Sequence, residues 1–316
     1  MAIVELAREE PPKRDSRFSL AQREAGWGFL FISPWIFGFL TLTLAPVIAT
    51  FVFTFFNLRL NQQTPVRFVG LDNYADLLGD ARMWDALFVT LRFAAIALPV
   101  GLILPFALAM LLNSRSLRGS RIFQTFFFMP YIIPFVAALF AWGSMLNAEA
   151  GWLNGILAWV GIQGPDWLND PAWVYQGLVV IGLWGIGSAM IINMAGLQNV
   201  PTELYDAARV DGAGFWGQLR HVTLPMMSPV FFYSITLGLV GVLQYFLVPL
   251  VLNSGTGRPA GATYFFNIYI YNTFWSFGNM SYGATLAWFL FVVILLTTLI
   301  LFWSARYWVY YAGERA

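Results

Sequence analysis

The sequence predicts an all-α integral membrane protein with six transmembrane helices, and three observations carry that expectation. Of its 316 residues 59% are hydrophobic and only 10% are charged, with a mean hydropathy of +0.67, against about 25% charged in an average soluble domain. Six charge-free windows reach the ~20 residues needed to cross hydrocarbon. Lys and Arg gather on alternate sides of those windows, as membrane topology demands.

Residues 1–24 read as a polar tail, because Met1 to Arg23 carry five basic and four acidic side chains with Pro11-Pro12 and no apolar core. The uncharged run Ala25 to Leu58 follows without a small-residue cleavage pattern and is expected to be a retained first span. The other windows are Phe93 to Leu112, Ile122 to Leu146, Trp173 to Gln198, Val230 to Leu252 and Ala284 to Trp303. Pro34, Pro46, Pro99, Pro105, Pro130, Pro134 and Pro249 should kink them. Residues 25–310 thus form one membrane domain, with 311–316 as a second tail.

Orientation follows from the cations. With the N-terminus cytoplasmic, that side collects Arg8, Lys13, Arg14, Arg17, Arg23, Arg115, Arg118, Arg121, Arg209, Arg220, Arg306 and Arg315, twelve of seventeen. The outer side keeps Arg59, Arg67, Arg82, Arg92 and Arg258. The short basic loop Asn113 to Arg121 is the sharpest marker. Opposite it, Asn147 to Ala172 has Glu149, Asp166 and Asp170 and no cation.

The loop between the fourth and fifth spans, residues 199–228, is amphiphilic. Thr202 can cap a helix in which Glu203 sits in the positive first turn and Leu204, Ala207, Ala208 and Asp211 recur at helical spacing. Gly212-Ala213-Gly214 stops it. Phe215, Trp216, Leu219 and Val222 then present bulk on one side of a second short helix, which Leu224-Pro225 is expected to end. Such a hairpin suits a partner's groove, with small alanines for close approach and aromatic knobs for grip. A helix pair resting on lipid headgroups would show the same pattern.

The order Asp206-Ala207-Ala208, Gly212, Val222-Thr223-Leu224-Pro225 resembles the Glu-Ala-Ala loop of the membrane subunits of bacterial binding-protein-dependent ABC importers. Asp206 stands where that family usually has Glu, and Val222 where it has Ile. Val69 to Leu78, Trp152-Leu153-Asn154 with Trp167 to Pro171, and Leu252 to Arg258 with Tyr264 to Tyr282 resemble segments of the maltose and glycerol-3-phosphate branch, although the last departs in order. The resemblance implies a type I permease fold and a multi-pass place in the bacterial inner membrane, with both termini cytoplasmic. It also implies a hairpin (Glu203, Asp206, Ala207, Ala208, Asp211, Gly212, Phe215, Trp216) that couples to two cytoplasmic ATPase subunits. A second homologous permease, an extracytoplasmic solute-binding protein, membrane lipid and a sugar complete the partners, while ATP and Mg belong to the ATPases and no cofactor to this chain.

Several classes are excluded. Absence of Cys removes disulfides, thiolate zinc and cysteine nucleophiles, and the lone His221 leaves no histidine-rich metal site. A net charge of +1 lacks the basic face nucleic acid needs. There is no phosphate loop, so any nucleotide hydrolysis falls to another chain, and this chain is not an enzyme. No Asp, Glu, Lys, Arg or His lies well inside a window, which disfavours an ion-coupled secondary carrier. The cargo implied is a mono-, di- or oligosaccharide or a glycerol phosphate derivative, and a non-sugar ABC cargo stays open.

Neutral groups inside the windows remain. Gly238, Gly241, Gln244 and Tyr245 are expected on one helical face, and Trp184, Gly185, Ser188 and Ile192 on another. By the resemblance, the polar-aromatic pair after the loop lines the sugar path, making Gln244, Tyr245, Gly241, Trp184, Gly185 and Ser188 candidates, with Asn193 and Asn147 behind them. The plainer reading is that the glycines pack helices and Gln244 bonds a neighbour. His221 reads as a helix-end imidazole.

Overall fold

The structure, a computed structural model, describes residues 19–114 and 117–311. The expected polar tails up to Phe18 and from Ala312, and Arg115 of the basic loop, lie outside the described residues.

Every regular element described is helical. Among the described residues, 19–52 form a unit of their own. In it α1 (Leu20–Gly38) passes through a π stretch, Phe39–Leu44, into α2 (Ala45–Phe53). Ser19 caps α1 in a reciprocal box with Gln22. The first apolar helix therefore runs over Leu20–Phe53, starting before and ending before the expected Ala25 to Leu58. A helix ladder continues through Glu24 as readily as through Leu, so charge marks hydrocarbon depth and not the helix end.

The second unit begins at Phe53. A short α3 (Asp72–Gly79) leads to the 32-residue α4 (Ala81–Leu112), whose N-cap Asp80 accepts from Arg82 N at 2.9 Å. α4 contains Pro99 and Pro105, takes in Arg82, Asp85 and Arg92, and spans about 48 Å at 1.5 Å per residue. It packs along α9 (Ile186–Gln198) and α12 (Leu224–Leu243), and α12 packs on α15 (Met280–Trp308).

Three expected spans are broken. α5 (Ser120–Phe128), with its 3₁₀ extension to Ile132, meets α6 (Phe135–Met145) at 104°, and α8 (Val174–Leu183) meets α9 at 60°. Pro130 and Pro134 bracket the first bend, where ring geometry and missing donors deny the ladder. Trp184-Gly185 forms the second. α12 ends at Leu243, and α13 (Leu247–Asn253) restarts after an irregular Gln244 to Phe246. Among the described residues, four helices can cross a membrane by length and composition, and up to six if each bent pair counts as one span.

Pro225 does not end a helix as expected. α11 (Phe215–Gln218) runs through a π stretch, Leu219–Thr223, directly into α12, with Pro225 at its start. A π turn sets aside one hydrogen bond, and a proline two residues beyond it supplies the residue that has no N–H. Pro46 stands in the same relation to Phe39–Leu44.

Three buried clusters divide the second unit along α4. Leu77, Met83, Phe266 and Leu286 fill the Asp80 end, Phe93, Ile181, Val242 and Phe265 the middle, and Ala109, Met190, Leu197 and Met227 the Leu112 end. At the Asp80 end, α14 (Phe266–Tyr271) and α15 send the Tyr269 and Tyr282 hydroxyls to Asp80 Oδ2, the latter at 2.6 Å. Burial alone would raise the Asp80 carboxyl. The donated bonds of Tyr269 and Tyr282, with the N–H groups of Arg82 and Met83, hold it below its ordinary 3.8.

Candidate functional site

At the Leu112 end the Asp206 hairpin is closed by backbone geometry. α10 (Thr202–Val210) has Pro201 as its N-cap, so Thr202 is the first helical residue and makes no side-chain cap, contrary to expectation. Its exit is as expected: Gly212 takes φ +80°, a left-handed turn that costs glycine least. Gly212 N donates to Arg209 O at 3.0 Å and Ala213 N to Ala208 O at 2.8 Å, satisfying two carbonyls of the last turn. Extended Gly214 then starts α11.

The two limbs are tied together. The Tyr205 hydroxyl lies 3.1 Å from Thr223 Oγ1, and Gln218 Nε2 donates to Ala213 O at 2.9 Å. Tyr205, Phe215 and Leu219 with Met110 and Asn113 of the α4 end line a crevice of about 130 Å³ between the hairpin and the bundle.

Glu203, Asp206, Ala207, Asp211, Gly212, Phe215 and Trp216 are exposed and Ala208 is half-buried. Asp206 pairs with Arg209 at 2.8 Å, but both side chains are solvated, so the bridge adds little. Phe215 and Trp216 meet edge to face at 5.3 Å. They are 62% and 76% exposed, and Val210 at the end of α10 is 88% exposed, so both limbs of the hairpin present bare apolar side chains. Sequence reasoning missed Val210. Its signal was a branched apolar residue in a final turn, next to Asp211-Gly212, with nothing at helical spacing to cover it.

Midway along α4, two adjoining cavities of about 410 and 380 Å³ share Ala97, Gly101, Gly185, Ala189, Gly238 and Val242. Gly241 and Tyr245 line the first, and Ser188, Ile192, Tyr233 and Ser234 the second. Four candidates, Gly185, Ser188, Gly241 and Tyr245, therefore meet around one space. Neither expected helical face exists as drawn, because α12 stops before Gln244 and α8 breaks from α9 at Trp184-Gly185. The breaks turn Gln244 and Trp184 off the lining. Gln244 is exposed, and its carbonyl accepts from Asn267 Nδ2 at 2.9 Å. Trp184 packs at 5.3 Å on Trp142, and among the described residues neither indole N–H has a partner.

Tyr245 is fixed against Phe93 at 4.7 Å and Phe265 at 5.1 Å between ring centres. The wall that sequence reasoning overlooked is α4 itself, where Ala97, Gly101 and Pro105 recur every four residues. That spacing of small or donor-free residues was visible. Asn193 is buried with its Nδ2 on Ala189 O at 2.8 Å. Asn147 Oδ1 accepts from Glu149 N and Ala150 N, a local turn. His221 Nδ1 lies 3.0 Å from Gly217 O one turn back, and because the helix runs on into α12 it is not the helix-end imidazole expected.

A family profile described as binding-protein-dependent transport system inner membrane component matches residues 97–309, from the middle of α4, through both cavity walls and the hairpin, to the end of α15. The chain belongs to this family. As a binding-protein-dependent inner membrane component it is a multi-pass membrane protein, and its relatives match over nearly their whole length. It is 32% identical to the probable ABC transporter permease YesP of Bacillus subtilis, over 91% of this chain and 93% of that one. It is 32% identical to the lactose transport system permease LacF of Rhizobium radiobacter (92% and 98%), and 30% identical to the trehalose/maltose permease MalF of Thermococcus litoralis (89% and 94%). The fold matches a chain of a bacterial alginate ABC transporter crystallised with its alginate-bound periplasmic protein, with a TM-score of 0.76, 21% identity, and 90% and 95% of the two chains covered.

Proposed function

We propose that this chain is one permease subunit of an ATP-driven importer that takes a sugar from an extracytoplasmic binding protein. The observation that carries the reading is a cavity of small, hydroxyl and aromatic groups halfway along a 32-residue helix, with an exposed apolar hairpin at that helix's far end. Relatives at 30 to 32% identity named for lactose and trehalose/maltose support a sugar cargo.

In this reading the bent pairs each count as one span, giving six in residues 25–310, with both termini and the 199–228 hairpin cytoplasmic. Broken helices at mid-depth are tolerated where the backbone lines a cavity and not lipid. Gly185, Gly241 and Ser188 leave room, Tyr245 offers an aromatic plane and a hydroxyl, and Gln244 and Trp184 stand at the two breaks beside the path. A second homologous permease supplies the other half of the wall.

Glu203, Asp206, Ala207, Ala208, Asp211, Gly212, Phe215 and Trp216 form the surface that meets a partner ATPase. ATP and Mg are held by two such subunits, and this chain hydrolyses nothing. Closure of the ATPases moves the hairpin, and the unbroken run from Phe215 into α12 carries that motion to Gly238 and Gly241.

The test is uptake by the complex reconstituted with its ATPases and binding protein, against neutral sugars, amino acids and peptides. ATP-dependent accumulation of a sugar is expected. Accumulation of an amino acid or peptide alone, or uptake driven by an ion gradient without ATP, would overturn the reading.

A further inference from the structure

At the Asp80 end, opposite the hairpin, residues 57–64 and 275–278 enclose a pocket of about 580 Å³, within the range of small-ligand sites. Its backbone is pinned. Leu60 N donates to Gly278 O at 2.8 Å, Ser281 N to Leu58 O at 3.2 Å, and Leu58 N to Ser281 Oγ at 2.7 Å. Gln62 braces the loop from within, accepting from Arg59 N at 2.7 Å and donating to Asn57 O and Thr64 O at 3.2 and 2.7 Å.

With the peptide groups so occupied, the loop presents Arg59, Asn61 and Gln63. Among the described residues these three side chains have no hydrogen-bond or ion-pair partner. Trp275 and Phe277 form the facing wall, each 58% exposed. No Asp or Glu lines the pocket, so the Arg59 charge is uncompensated there.

We infer that this pocket is a saccharide site at the outer mouth of the permease, favouring sugars that bear a carboxylate. The inference rests on the sugar-import reading above. Planar amides and a guanidinium match vicinal hydroxyls, and exposed aromatic rings cover the C–H face of a pyranose. A guanidinium fork matches a carboxylate in two parallel, charge-assisted bonds. The pinned backbone needs little ordering on binding, so the ordering cost is confined to the three side chains. A sugar released toward the cavity meets this pocket about one α4 length before the cytoplasmic side.

The experiment is saturation-transfer difference NMR on the full-length chain in nanodiscs, with trigalacturonate and maltotriose as probes. Trigalacturonate should bind about tenfold more tightly than maltotriose, and Arg59→Gln should erase that preference. Trp275→Ala should weaken both sugars. Arg59→Gln alters an exposed loop side chain and leaves the helices intact, so it carries the test even if the Trp275 variant is unstable. Absence of transfer from trigalacturonate, equal binding of the two probes, or an unchanged signal in Arg59→Gln would overturn the site. Uptake by the reconstituted complex tests the underlying reading separately, because sugar uptake with a silent mouth pocket overturns this site alone.

Discussion

The Tyr205 hydroxyl and Thr223 Oγ1, 3.1 Å apart, join the first hairpin limb to the π turn that opens α12. The contact ties the hairpin to the start of α12, so α10 is linked to α12 through this bond as well as through the chain. Thr223 itself is buried, while Tyr205 is half-buried beside the crevice.

Tyr205→Phe removes that bond while keeping the ring that lines the crevice below. A loss of about 1 kcal/mol is expected in thermal unfolding. ATP hydrolysis by the assembled complex should persist while sugar-stimulated hydrolysis falls, measured in the same proteoliposomes.

Trp216→Ala and Val210→Asp strip exposed apolar side chains from the hairpin without touching the bundle. Each should weaken association with the ATPase subunits by about 2 kcal/mol, as loss of an interface anchor does. Co-purification at graded detergent washes would measure it, and the isolated permease should keep its melting temperature.

Gly241 has open space where a β carbon would go, whereas at Gly187 a β carbon would collide with the Phe127 carbonyl. Gly241→Leu should therefore narrow the cavity and lower uptake at unchanged stability. Gly187→Ala should cost about 1 to 3 kcal/mol of stability through overpacking. Melting curves and uptake rates run in parallel separate the two effects.

Asp80 has a lowered carboxyl, so its contribution to stability is complete above the ordinary carboxylate value and is lost as pH falls through the lowered one. The wild type should lose stability as acid is added below about pH 4. Asp80→Asn should be less stable near neutrality and flatter across that acid range, a comparison made by thermal unfolding at stepped pH.

Much of this was legible in the sequence because hydrocarbon imposes length and neutrality on whatever crosses it. The apolar windows found the bundle, and Gly212 marked the hairpin bend. Helix ends were misplaced at Leu20 and Ala81, where the backbone ladder continues past charges that composition treats as boundaries. Pro225 misled for a local reason, since the π turn before it had already set aside the missing bond. At the cavity, Gly185, Ser188, Gly241 and Tyr245 came from a face pattern that the breaks at Trp184 and Gln244 interrupt. Tertiary bending brought four of the six to one space and turned two away. No single-sequence period reports that.

The most direct test of the central claim is a cysteine at the hairpin tip. In the otherwise cysteine-free chain, Asp211→Cys, which leaves the exposed apolar side chains intact, should in the assembled complex be joined to an ATPase subunit by a thiol-to-amine cross-linker and resist a membrane-impermeant thiol reagent added from outside the cell. Labelling from outside, or a tip that cross-links to no ATPase when the whole assembly is isolated, would contradict it.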